Sequence, residues 1–249
     1  MWAIKSISAM LVFITAVVAG VYPFVKKIKT QETISFPIGE SLAAGVFLGA
    51  GLMHMLGDAS NDFYRLSYHY PFAFLIAGLM FLFLLLLEHV GREIVSHQGS
   101  ASNSFAILAT FMLSIHSFLM GAALGLTDAI SVTLMILLAI LAHKWAASFA
   151  LSIQINKSNF SHKINIMLFL IFASMTPIGI IGATFAKSAL IQYPLIEPIL
   201  NALAAGTFLY LGTLHGLEQA TLIKRCCDLK RFYFVILGFA MMALVAIWV

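Results

Sequence analysis

The residues of this chain that could do chemistry are histidines and carboxylates set within long apolar runs. His54 and Asp58 are four residues apart and share one face of a helix. His215 and Glu218 are three apart, Glu88 and His89 are adjacent, and His116 and His143 each stand in an apolar segment. Ionisable groups are costly inside a bilayer, so each marks a site that needs a partner. Imidazoles with scattered carboxylates suit a borderline divalent cation such as zinc, because each step replaces part of its hydration shell without trapping it. Protons could use the same groups, and any one histidine could simply bond a neighbouring helix. Four at graded depths favour a path. Pro177 breaks a backbone bond in the sixth apolar run and frees the carbonyl of Ala173. Ser174 and Thr176 flank it, with bonding back to their own helix as the alternative use of both hydroxyls. Lys144, beside His143, cannot snorkel from mid-span; its neighbouring helix position points it away from a metal path.

These groups must be positioned by membrane helices. Of the 249 residues, 61% are hydrophobic and 10% charged, with a mean hydropathy of +1.00, whereas a soluble domain is about 25% charged. Soluble enzymes and nucleic-acid binders are excluded as classes. Apolar runs broken by Pro, Gly, Asn and charge predict one all-α polytopic membrane domain over 1–249. Its eight helices fall at about 2–25, 38–59, 71–90, 104–127, 129–153, 164–186, 196–220 and 231–249. The first run is read as a span rather than a cleavable signal, because it continues through Val25 into a basic cluster and lacks a clear small-x-small site.

Alternate loops hold Lys26, Lys27, Lys29, Arg92, Lys157, Lys163, Lys224, Arg225, Lys230 and Arg231, against Lys5, Arg65 and Lys187 on the other side. The positive-inside rule then places both termini outside. Thr127 and Asp128 form the apex of a tight hairpin between the fourth and fifth helices. Counted from that turn, His116 and His143 differ in depth by about four residues, or roughly 6 Å, near the midplane. His54 and Asp58 fall toward the outer end, while His215, Glu218, Glu88 and His89 fall toward the cytoplasmic end. Gly45 and Gly49, Gly121 and Gly125, and Gly179 and Gly182 let backbones approach closely. Cys226 and Cys227 sit in the last cytoplasmic loop and are read as inert thiols.

The segments His116-Ser-Phe-Leu-Met-Gly-Ala-Ala-Leu-Gly125 and His143-Lys-Trp-Ala-Ala-Ser-Phe resemble the paired histidine motifs of the ZIP (Zrt/Irt-like) metal-ion transporters. Gly45 to His54 with Asp58 resembles that family's second helix, Met175 to Gly179 its sixth and Ala205 to Tyr210 its seventh. The His-Lys pair is closest to the animal branch of the family. The resemblance implies an eight-helix bundle moving zinc or a related divalent ion toward the cytoplasm. His116 and His143 are then the transport ligands, with Ser117 and Thr176 as oxygen contributors.

The chain departs from the family pattern where charge is expected: Met120, Ala147 and His215 stand at positions the family fills with Glu, and the long His-rich loop before the fourth helix is absent. Neutral imidazoles leave a divalent ion its full charge in a low-dielectric interior, which argues against a binuclear site. Weaker binding of one metal, preference for a softer ion such as Cu(I) with Met120 as thioether ligand, and loss of transport remain open. The expected candidate set is His116, His143, Ser117, Met120, Thr176, His215, His54, Asp58 and Glu218. No prosthetic group is expected, zinc being substrate. The expected partners are the metal ion and the bilayer, with assembly as a homodimer and no nucleic acid; the expected place is the plasma or inner membrane. Two other readings stand beside transport: a membrane-embedded zinc hydrolase using His54, His116, His143, Asp58 and Ser117, although no His-Glu-x-x-His is present, and a transport-dead regulator of the same fold.

Overall fold

The computed structural model describes residues 1–25, 36–96, 101–190, 192–214 and 229–248, and these residues are all-helical apart from short turns. We number the helices α1 (Trp2–Val25), α2 (37–65), α3 (Phe72–Ser96), α4 (Ala101–Leu126), α5 (Ile130–Asn156), α6 (His162–Leu190), α7 (Ile196–Tyr210, continuing through 214) and α8 (Leu229–Val245). Six of them are long and apolar enough to cross a membrane: α1, α2, α3, α4, α5 and α6. Large apolar side chains such as Phe74, Leu79, Leu82, Ile171 and Ile181 are exposed on the outside of the bundle, a surface made for lipid rather than water.

The second helix is longer than the sequence reading, which ends it near 59. Pro37 opens it, Ala50–Met55 winds as a π-helical turn, and Leu56–Arg65 completes it. The polar run Asp58, Asn61, Asp62 and Arg65 reads as loop in a hydropathy profile. It is instead a helical face turned to a cavity, while Ala59 and Phe63 are buried.

Helices pack according to where side chains are small. α4 lies against α6, with Gly121 at the carbonyl of Thr176 and Gly179 at that of Phe118. α2 lies against α8, with Gly45 at the carbonyl of Val235. A methyl group at these positions would collide with backbone, so glycine is what permits the approach. Gly182, expected in the same role, has open space around it. α1 packs on α5 and α6, and α3 on α7. α2 also packs on α7 and α5, and α4 on α3, α5 and α7, so the bundle is continuous.

The turn between α4 and α5 is tied internally. Thr127 Oγ1 donates to the carbonyl of Leu124 at 2.8 Å and lies 2.7 Å from Thr133 Oγ1. Two lysines complete the C-terminal end of α4. Lys5, counted as a loop charge from sequence, is buried and donates from Nζ to the Gly125 carbonyl at 2.6 Å; Lys187 donates to the Thr127 carbonyl at 3.2 Å and pairs with Asp128. Ammonium groups there complement the negative end of the helix dipole. The Lys187 hydrogen bond holds the exposed Asp128 carboxyl below its ordinary pKa.

Candidate metal-ion site

His116 on α4 and His143 on α5 are both buried, and their ring centroids are 5.9 Å apart at 70°. A zinc ion sits about 2.0–2.1 Å from an imidazole nitrogen, hence roughly 3.2 Å from the ring centroid, so two rings on one ion can be no more than roughly 6.4 Å apart. The observed separation is within that reach. Phe208 on α7 fixes both planes, stacking on His116 at 3.7 Å and 20° and meeting His143 edge-on at 4.9 Å and 89°.

Protonation at His116 follows from its neighbours. Thr207 Oγ1 donates to the carbonyl of Ala204 at 2.6 Å, so toward His116 Nδ1, 2.8 Å away, it offers a lone pair. Nδ1 must then carry the hydrogen, and Nε2 is left with its lone pair free. Nε2 of His116 is buried without a hydrogen-bond partner, as is Nδ1 of His143. Leaving a buried polar atom unpaired costs about 1–3 kcal/mol. Two such atoms on neighbouring rings are what a site for a passing cation would present.

Lys144, next to His143 in sequence, is buried as well. Its Nζ donates to Ser117 Oγ and to Thr176 Oγ1, each at 3.0 Å, and lies 4.1 Å from the Phe172 ring centroid. Ser117 and Thr176, expected as oxygen contributors to the ion, are thus gathered around an ammonium group between α4, α5 and α6. Ser174 bonds back to the Ile171 carbonyl at 2.8 Å, in keeping with the alternative use of these hydroxyls.

Above the histidine pair, at the Thr127 end of the bundle, lies a cavity of about 250 Å³. His54, Asp58 and Asp62 of α2, Met120 of α4, Met135 of α5 and Glu197 of α7 are on its wall. His54 Nδ1 is 2.8 Å from Asp58 Oδ2. That contact is an ion-pair distance but is out of line for a hydrogen bond, and neither ring nitrogen of the buried His54 has a hydrogen-bond partner. The π-helical turn carrying His54 is the kind of local widening that recurs at functional sites. At the opposite end a smaller cavity of about 70 Å³ has Glu40, Gln154 and Lys157 on its wall, and Lys157 Nζ is 3.6 Å from Glu40 Oε1.

The structure therefore brings His116 and His143 together, places His54, Asp58 and Met120 on one cavity, and groups Ser117 and Thr176 elsewhere. His215, Glu218, Cys226 and Cys227 lie outside the described residues. Among the described residues no three of His, Cys, Asp or Glu gather closely enough to hold an ion by themselves. Sequence reasoning missed Thr207, Phe208, Asp62 and Glu197. Asp62 was within reach, because it stands one turn beyond Asp58, whereas nothing local marks Thr207 as the partner of a histidine 91 positions earlier.

Comparison with known proteins finds relatives over most of the sequence. Residues 96–246 match the family described as ZIP Zinc transporter. The chain is 29% identical to the mouse (Mus musculus) zinc transporter ZIP2 over 83% of each protein. It is 27% identical to the human (Homo sapiens) zinc transporter ZIP2, over 83% of this chain and 84% of that one. It is also 33% identical to the human zinc transporter ZIP1, over 53% of this chain and 42% of that one. With the matched region covering more than half of the sequence, the chain belongs to the ZIP zinc transporter family.

Proposed function

We propose that this protein carries zinc across its membrane toward the cytoplasm, with Nε2 of His116 and Nδ1 of His143 as the ligands at mid-depth. Family membership supports metal transport and a multi-pass membrane protein over the hydrolase reading. The observation that carries the site is the pair of buried, unpartnered nitrogens on rings 5.9 Å apart. Eight crossings with both termini outside complete the reading. The balance of Lys and Arg between alternate loops supports it, as does the clustering of Lys5, Lys187 and Asp128 at one end of the bundle.

In this orientation the larger cavity is the outer entrance, where Asp58, Asp62 and Glu197 draw in cations, and the smaller one is the exit side. An ion leaving water meets carboxylates first, then imidazole, then the histidine pair. Each exchange replaces lost hydration with protein donors. Lys144 holds Ser117 and Thr176 with its own charge, which leaves room for one ion rather than two.

In proteoliposomes, His116→Ala and His143→Ala should each abolish zinc uptake while leaving the protein folded. Uptake unchanged in both would sink the assignment of the site. A wild-type protein that folds but neither binds zinc by calorimetry nor moves it would point to a regulator that keeps the fold.

A further inference from the structure

The outer cavity carries a donor set that divalent zinc does not require. Met120 on α4, Met135 on α5 and His54 on α2 all line it. Met120 is one turn from His116, and Met135 is eight residues, about two turns, from His143, so each thioether stands on the outer side of one histidine of the deeper pair. Met120 is itself buried, whereas Met135 is 44% exposed. Thioether sulfur is a poor ligand for hard cations and a good one for soft, electron-rich ions of low charge, and imidazole accommodates both.

A second, independent observation is His54. It is 4% exposed, faces the same cavity, and has a ring nitrogen, Nε2, with no hydrogen-bond partner. A buried imidazole with a bare nitrogen on the same cavity as two thioethers offers donors suited to a soft ion. Charge points the same way. The residues one turn from the histidine pair, Met120 and Ala147, are uncharged, and the buried Lys144 places its Nζ on Ser117, next to His116. The cost of placing an ion in such surroundings rises with the square of its charge, so a monovalent ion enters far more readily than a divalent one.

We propose that the outer cavity is a binding site for a soft monovalent d¹⁰ cation, copper(I) in a cell, held by the thioethers of Met120 and Met135 and the imidazole of His54. Asp58, 2.8 Å from the His54 ring, supplies the compensating charge. The site lies at the entrance of the proposed zinc path and shares His54 and Asp58 with it, but silver binding there does not depend on zinc being transported.

Silver(I) is the probe, since it has the same charge and d¹⁰ configuration and does not change oxidation state. Cys226 and Cys227 would capture it, so the full chain carries Cys226→Ser and Cys227→Ser throughout. Titration calorimetry in detergent should give silver binding that weakens at least tenfold in Met120→Leu/Met135→Leu. The same change at the exposed Met167→Leu should leave it as it was. Leucine nearly matches methionine in volume, so the fold should survive, which a melting curve checks. X-ray absorption at the silver edge should show sulfur neighbours in the parent and lose them in the double variant. Equal affinity in parent and double variant, or no sulfur neighbours in the parent, overturns the proposal. Absence of zinc uptake in a parent that shows these silver results would overturn the transport reading alone.

Discussion

At the scale of single residues, the site is defined less by its histidines than by what fixes their protons. Thr207 spends its hydrogen on Ala204, accepts the Nδ1 hydrogen of His116, and so leaves Nε2 bare. Thr207→Val keeps the shape but removes the acceptor. Zinc affinity measured by competition with a chelating dye should fall by about 10- to 100-fold, the usual effect of losing a partner behind a metal ligand. Thr207→Ser should restore most of it. Both histidines were legible in the sequence, because an imidazole in an apolar run is conspicuous. The protonation state was not, since it is set by a hydroxyl on another helix. Ser117 and Thr176 show the same limit. Both were expected to offer oxygens to the ion, yet their oxygens serve Lys144.

Among the helices, the deciding feature is how closely α4 approaches α6. The backbone of Gly121 touches the Thr176 carbonyl, the residue whose hydroxyl also receives Lys144, so this contact positions one wall of the buried polar cluster. Gly121→Ala should cost about 1–3 kcal/mol through overpacking, read as a lowered melting temperature in detergent. Gly182→Ala, on the same helix pair but facing open space, should be neutral or gain roughly 0.5–1 kcal/mol from the better helix former. A matching loss at both positions would show that spacing rather than contact governs the pair. The sequence offered both glycines on equal terms. Their difference comes from the rotation of α6 about its axis, which a motif does not encode. The extension of α2 through Arg65 is a related case. Hydropathy ends the helix where polarity rises, but one helical face can be polar when a cavity lies against it.

For the whole molecule, the proposed path runs between two cavities at opposite ends of the bundle, with the histidine pair between them. With the native cysteines replaced, Asn61→Cys at the outer cavity should react with a membrane-impermeant thiol reagent added outside intact cells. Lys157→Cys should react only after permeabilisation. The reverse pattern would invert the topology. The outer cavity is walled by Asp58, Asp62 and Glu197, so reaction at the Asn61 position should also be slowed by added zinc.

Composition alone determined that this chain lives in a bilayer, because 10% charged residues cannot cover a soluble globule. The apolar runs and the basic loops gave the order of the helices and an expected orientation, and the rarity of ionisable groups within those runs picked out the histidines. All of these are local properties of the chain. Tertiary structure decided which groups meet. It put His116 beside His143 and Thr207, turned Lys144 toward Ser117 and Thr176, and lined one cavity with His54, Met120 and Met135. Those pairings depend on helix rotation and on contacts between residues far apart in sequence, and close packing of the backbones fixes both.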